Sequence, residues 1–153
     1  SLISRGAELE LLPLCRAEKV GFTCWSPLQK GWLAGRTKDV EQPEGKRLGD
    51  WSVGLERYVT ERSVRIAEKV GEIAQKIGKT PGQVSLAWLL AQEGVTAPIL
   101  GVRTLAQLED NLGAVGWTLA PEDLKALNLA SAFEIDYPYE FQLRRTPVFA
   151  AGK

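Results

Sequence analysis

Two segments of the sequence carry side chains that could bind a ligand, and each follows a short apolar run. The first is WSPLQKG at residues 25–31, after the strand-like residues 21–25. An indole offers a flat face to a planar ring, Ser26 and Lys30 can bind an anion, and Gly31 lets the backbone approach a ligand closely. The other interpretation is that Trp25 fills a core, and the residues alone leave both open.

The second segment is GVRTLAQLEDN at residues 101–111, after the strand-like residues 96–100. Thr104 and Gln107 have the spacing of a capping box, so the positive end of a helix should face the end of the strand. Together with the planar fork of Arg103, this favours a phosphate site. Asp110 and Asn111 follow one turn later. A capped helix with a solvated polar face is the alternative.

Composition excludes several kinds of function. The sequence contains no histidine, so no His-based catalysis or His-ligated metal site can be built from this chain alone, and we assign no metal ligand. Nineteen basic and nineteen acidic residues cancel, which predicts neither a nucleic-acid nor a membrane partner. No apolar run approaches the roughly 20 residues of a bilayer span. Cys15 and Cys24 are interpreted as core thiols, which predicts a cytoplasmic protein.

Helical spacing and start signals define the elements that must position these residues. We predict helices over residues 7–19, with Pro13 in the first turn, from about residue 55 to Gly78, and over 80–93, 104–112 and 121–131. Residues 31–54 are loop-like. Helices that alternate with short buried strands indicate a parallel sheet. Two parallel strands cannot cover their own faces and edges, so the chain is expected to be part of a larger fold.

Three motifs, in this order, resemble the aldo-keto reductase family: WSPLQKGWLAGR, GKTPGQVSLAWLLAQ and PILGVRTLAQLEDNL. The resemblance implies an α/β fold, namely the C-terminal part of a (β/α)8 TIM barrel after its sixth strand. Two parallel strands and about five helices would form an incomplete barrel. It also implies one partial barrel domain over residues 1–153, with 1–131 matched to the family and 132–153 as a C-terminal tail.

The family resemblance implies an NADP-dependent oxidoreductase that converts an aldehyde or ketone to an alcohol. Trp25 would stack on the nicotinamide, the Ser26–Lys30 segment would hold the pyrophosphate, and Arg103 would bind the 2′-phosphate, while Asp110 and Asn111 would address the adenine. Many members carry Lys where Gly101 stands, so the choice of NADPH rests on Arg103. The residues predicted to bind NADP(H) are Trp25, Ser26, Pro27, Leu28, Lys30, Gly31, Gly101, Val102, Arg103, Thr104, Gln107, Asp110 and Asn111.

The family's catalytic Asp, Tyr, Lys and His lie on earlier strands of the barrel. Tyr58, Tyr137 and Tyr139 match none of these positions, so we assign no catalytic residue and expect this fragment alone to be inactive. The alternative is a non-catalytic cofactor- or partner-binding module derived from the barrel. The apolar faces predict self-association or a complementing N-terminal part of the barrel. Trp32, Trp51 and the aromatic tail are candidate walls for the carbonyl substrate.

Overall fold

A computed structural model describes residues 1–35 and 59–141. This part of the chain contains two strands and seven helices, two of which are short 3-10 helices at Gly6–Glu8 and Gln29–Ala34. The predicted α/β fold with two parallel strands is confirmed, and the two 3-10 helices come in addition to the roughly five helices predicted. In chain order the elements are α1 (Leu11–Ala17), β1 (Phe22–Cys24), α2 (Glu61–Ile77), α3 (Pro81–Leu90), β2 (Val95–Pro98), α4 (Leu105–Leu112) and α5 (Pro121–Ala130).

The two strands lie side by side and run parallel. Phe22 pairs with Val95 and Cys24 with Pro98, with a bulge directly after Phe22. At the bulge the Phe22 N–H donates to the Thr96 side-chain oxygen (3.0 Å). Beyond Pro98, the Ile99 N–H donates to the Cys24 carbonyl (2.8 Å), which carries the pairing past the proline. The segments that follow the two strands therefore begin next to each other.

Helix α3 is the centre of the core. Its start signal is confirmed: Pro81 opens the helix, the Thr80 hydroxyl accepts from the Gln83 N–H, and the Gln83 side chain accepts from the Thr80 N–H. Seven of its residues are buried, because α2, β2, α4 and the 3-10 helix Gln29–Ala34 pack around it. Trp88 is buried and donates from its ring N–H to Asn128 Oδ1 (2.9 Å), which ties α5 to α3.

Helix α2 ends as predicted, but its start signal was not predicted. Thr60 and Ser63 form a capping box at its start, and Gly78 ends it with a left-handed φ of 66°. The predicted start near residue 55 was wrong, because Thr60 has an extended backbone (φ −117°, ψ 158°) and caps a helix that begins at Glu61. Trp51 and Tyr58 lie outside the described residues.

Other predicted boundaries were also wrong, and the helix expected over residues 80–93 ends at Leu90. The helix expected over residues 7–19 is divided into Gly6–Glu8 and α1, with Pro13 in the first turn of α1 as predicted. A continuous helix would place the Pro13 ring against the carbonyl of Leu9, four residues earlier, which disfavours it. Residue 31 was predicted to start a loop, but it lies inside the 3-10 helix Gln29–Ala34. The segment is structured there because Trp32 and Leu33 are buried in the core.

Several apolar faces are not covered by the described residues. The stripe of Leu105, Leu108 and Leu112 on α4 is exposed, with Leu105 at 69% of its surface, and Leu11 and Leu14 of α1 are exposed as well. The sheet ends after two strands, so both of its edges are open within residues 1–35 and 59–141. None of the helices in these ranges combines the length and apolar character needed to cross a bilayer.

Candidate functional site

The two strand ends open into one cavity of about 340 Å³. Every residue predicted to bind the cofactor lines this cavity except Val102 and Thr104, and Ala34, Ile99 and Leu100 complete its walls. Val102 and Thr104 flank the lining residue Arg103 in sequence. The two segments are 70 or more residues apart in the chain, and the parallel pairing of β1 with β2 brings them together. The identity of the ligand remains a prediction.

Trp25 stands at the end of β1 with 75% of its surface exposed. The structure therefore does not support the interpretation of Trp25 as core filling. The indole forms part of the cavity wall, and an exposed aromatic ring in such a wall can stack on a planar group. By contrast Cys24, the residue before it, is buried, and burial raises the pKa of its thiol. Both Cys15 and Cys24 are free thiols, but only Cys24 lies in the core as predicted, because Cys15 is only half-buried.

The backbone after β1 has an unusual conformation. Ser26, Gln29 and Lys30 have φ values of 54°, 46° and 57°, and Gly31 follows at 101°. Left-handed conformations of non-glycine residues are unfavourable by about 1–2 kcal/mol each. They persist only where the surrounding structure holds them, and such strain is common at binding sites. Successive N–H groups in turns of this kind form anion-binding concavities. The Leu28 N–H has no acceptor among residues 1–35 and 59–141.

Buried side chains hold this segment in place. Trp32 is only 3% exposed and donates from its ring N–H to the Ser63 carbonyl (3.1 Å). The Ser85 hydroxyl donates to the Leu33 carbonyl (3.1 Å). Trp32 therefore anchors the binding segment to α2 and the core, and its prediction as a wall for the substrate was wrong.

Gln29 is a part of this anchoring that the sequence analysis missed. It is 7% exposed, and its amide donates to the hydroxyls of Ser1 (2.9 Å) and Ser4 (3.3 Å). A glutamine in a turn gives no signal that it will be buried, since its partners lie 25 and more residues away in sequence.

The second wall is the start of α4. The Thr104 side chain caps the helix by accepting from the Gln107 N–H (3.2 Å), as predicted. The reciprocal bond is shifted by one residue from the predicted box, because Gln107 Oε1 accepts from the Arg103 N–H (2.8 Å) instead of from Thr104. Gln107 thus fixes the backbone of the arginine. Lys30 and Arg103 line the same cavity, and Asp110 is the single carboxylate among its lining residues, so the wall carries a net positive charge that favours a negatively charged ligand.

Asp110 and Asn111 line the cavity one turn further along α4. Both carboxylate oxygens of Asp110 accept hydrogen bonds from the start of α3. Oδ2 accepts from the Thr80 hydroxyl (3.3 Å) and Oδ1 from the Gln83 amide (3.1 Å). The carboxylate is therefore held in a fixed orientation before any ligand binds.

The aromatic tail lies away from this cavity in its described part. Tyr139 donates to Glu10 (2.5 Å), Tyr137 and Phe141 contact each other, and the Phe133 ring lies 5.8 Å from the Arg5 guanidinium. None of these residues lines the cavity. The described part of the chain contains no group of three or more His, Cys, Asp or Glu residues arranged to hold a metal ion.

Comparisons with known proteins agree on one family. A sequence profile described as "Aldo/keto reductase family" matches residues 1–131. The chain is 37% identical over 128 residues to "Uncharacterized oxidoreductase YrpG" of Bacillus subtilis, which covers 84% of this chain and 37% of that protein. It is 33% identical over 126 residues to the Schizosaccharomyces pombe protein named as the NADP(+) aldo-keto reductase yakc, covering 80% of this chain and 36% of that protein.

A second similar protein of Schizosaccharomyces pombe carries a different kind of name. It is described as "Putative voltage-gated potassium channel subunit beta" and is 36% identical over 144 residues, which is 90% of this chain and 41% of that protein. The chain spans about two fifths of the length of these curated relatives.

Proposed function

Because the chain belongs to the aldo/keto reductase family, we propose that it forms the NADP(H)-binding part of an oxidoreductase that interconverts an aldehyde or ketone with an alcohol. One observation carries the proposal. Two segments far apart in sequence, one with an exposed indole and the other with an arginine at a helix start, line a single cavity. The relative named as an NADP(+) enzyme supports the choice of cofactor.

The chemistry of the cavity walls fits a phosphorylated dinucleotide. Trp25 stacks on the nicotinamide ring and so determines which face of the ring meets the substrate. The left-handed backbone after β1, with Lys30, binds the pyrophosphate. Arg103 and the positive end of α4 bind the 2′-phosphate, while Asp110 and Asn111 hydrogen-bond to the adenine. When bound, the cofactor supplies the hydride for reduction of the carbonyl group.

Because the chain spans about two fifths of its relatives, we propose that it belongs to a longer protein, called the full-length protein below. We assign the groups that act on the carbonyl to the rest of that protein. The chain has no histidine, and in the described part its tyrosines lie away from the cavity. Residues 1–153 alone are therefore expected to be inactive toward aldehydes and ketones, whereas the full-length protein reduces them. NADPH consumption by both proteins with a reactive aldehyde tests this. Turnover by residues 1–153 would contradict it.

We propose further that β1 and β2 are the last two strands of an eight-stranded barrel, with residues 1–131 in the barrel and 132–153 as its tail. The parallel pairing and the two open edges support this arrangement. The exposed leucines of α1 and α4 would be covered by the remaining elements. Apolar surface left in water is unfavourable by about 25 cal/mol per Å², so residues 1–153 alone should self-associate. Sedimentation that shows a stable monomer would argue against this.

Binding of NADPH is the direct test of the cofactor proposal. Titration of the full-length protein with NADPH should quench tryptophan fluorescence, and Trp25→Ala should remove a large part of the quenching. Trp88→Phe is the control for the loss of a tryptophan, since Trp88 is buried in α3 and does not line the cavity. The proposal is wrong if the unmodified protein shows no saturable quenching.

A second candidate is a non-catalytic module that binds a cofactor or a partner protein. The relative named as a potassium channel subunit favours it, because the match extends over 90% of this chain. The two candidates differ in one result. A full-length protein that binds NADPH yet oxidises it with none of a panel of aldehydes and ketones would support the module and argue against the enzyme.

A further inference from the structure

The first turn of α3 lies between the two walls of the cavity. On one side, a Cβ at Gly35 would lie 3.4 Å from Pro81, and one at Gly82 would lie 3.7 Å from Ala34, at the end of the segment that follows β1. On the other side, a Cβ at Gly82 would lie 3.6 Å from a carboxylate oxygen of Asp110 on α4. The separation of the two walls therefore depends on how α3 begins.

Gln83 makes the connection to the second wall. Its side-chain oxygen accepts from the Thr80 N–H (3.2 Å), which is the bond a helix cap requires. Its amide then donates twice to Asp110, to the main-chain carbonyl (3.0 Å) and to Oδ1 (3.1 Å). Capping explains the first bond but not the other two. The same side chain thus caps the start of α3 and orients a residue of the cavity.

We propose that Gln83 is a positioning residue for the dinucleotide site, acting through Asp110 on the adenine end. This inference rests on the proposed NADP(H) function. The Gln83 amide and the Thr80 hydroxyl hold both oxygens of the Asp110 carboxylate, so the carboxylate meets the adenine in one orientation. Without this support, the carboxylate would have to be ordered each time the cofactor binds, and affinity would fall.

Gln83→Glu separates the two tasks of this side chain. The new carboxylate still offers an oxygen to the Thr80 N–H, but it replaces the donor to Asp110 with a second negative charge. Because Asp110 loses a charge-assisted hydrogen bond and gains a repulsive neighbour, we expect binding of NADPH and of 2′,5′-ADP to weaken about ten-fold or more. Binding of nicotinamide mononucleotide, which does not reach Asp110, should be unchanged.

Two further variants distinguish a specific loss of binding from a general loss of stability. Thr60→Ala removes the equivalent cap of α2, where the side chain accepts from Ser63 and lies outside the cavity, so stability falls but 2′,5′-ADP binding should not. Adding Asp110→Asn to Gln83→Glu lets the new amide donate to the new carboxylate. The double variant should bind 2′,5′-ADP within about three-fold of Asp110→Asn alone, a difference of less than about 0.7 kcal/mol.

Calorimetric titration of the full-length protein and its variants with 2′,5′-ADP tests the proposal. Selective loss of the adenine-end ligand in Gln83→Glu, with rescue in the double variant, supports the proposal. Equal affinities of the unmodified protein and Gln83→Glu for 2′,5′-ADP overturn it while leaving the NADP(H) function intact. An unmodified protein that binds no dinucleotide overturns the function and this inference together.

Discussion

Gly113, directly after α4, provides a sharp test of the contact between α3 and α4. It has φ −63° and ψ −3°, a conformation that alanine adopts freely. A Cβ at this position would lie 2.4 Å from the Gln83 amide nitrogen and 3.1 Å from the Asp110 carbonyl oxygen. Gly113→Ala therefore forces the Gln83 amide away from Asp110.

The expected size of the effect follows from these contacts. The displaced amide loses one hydrogen bond to a carbonyl and one to a carboxylate, together about 2 kcal/mol at the lower end of the usual ranges. Replacing glycine by alanine restricts the unfolded chain, which stabilises by about 0.4–1 kcal/mol. The loss is larger than the gain, so we expect Gly113→Ala to lower the free energy of unfolding by about 1 kcal/mol.

Gly71→Ala is the matched control. Gly71 lies inside α2, and a Cβ there meets nothing within 4 Å. The same chemical change should therefore raise the free energy of unfolding by about 0.5–1 kcal/mol. Urea titrations of the full-length protein, followed by circular dichroism, measure both. If Gly113→Ala stabilises as Gly71→Ala does, Gln83 does not contact Asp110 as described, and the positioning inference loses its basis.

Three other predictions concern single side chains. Arg103→Ala should weaken NADPH binding about 10–100-fold, because it removes a charged hydrogen-bond pair with the 2′-phosphate. NADH lacks this phosphate, so its affinity should change little in parallel titrations. Trp25→Ala should leave the free energy of unfolding within about 0.5 kcal/mol of the unmodified value, because the side chain is exposed, while NADPH quenching falls. Lys76 has a pKa raised from 10.5, first by its hydrogen bond with Asp123. The ion pair therefore contributes its full stability below about pH 10, and this contribution is lost as the pH rises through the raised pKa of Lys76. The urea midpoints of the unmodified protein and of Lys76→Gln should differ near pH 8. At more alkaline pH the two midpoints should converge.

Local features of the structure followed well from the sequence. Thr80, Pro81 and Gln83 start α3 as predicted, and Gly78 ends α2, because caps depend on residues within one turn of each other. The two strands were found within one or two residues of their observed ends. Their parallel pairing followed from the alternation of helices and short strands.

Features that depend on distant partners did not follow from the sequence. The burial of Gln29 requires Ser1 and Ser4, and the orientation of Asp110 requires Gln83, which is 27 residues away. Trp32 lies in a polar, glycine-rich stretch and gave no sign that it packs against α2. The helix over residues 7–19 was predicted as continuous because its apolar spacing outweighed the steric effect of Pro13 on Leu9.

The candidate site falls between these two cases. Each half was recognisable from its own residues, as an indole after one strand and an arginine at a helix start after the other. That both halves line one cavity depends on β1 lying next to β2, which is a long-range pairing. The left-handed φ values of Ser26, Gln29 and Lys30 had no signal in the sequence, since none of these residue types requires them.

A crystal structure of the full-length protein with NADP+ tests the central claim most directly. We predict that the nicotinamide lies flat against the Trp25 indole and that the Arg103 guanidinium is about 2.7–2.9 Å from the oxygens of the 2′-phosphate. A dinucleotide bound at another surface, with Trp25 and Arg103 both out of contact with it, would contradict the account.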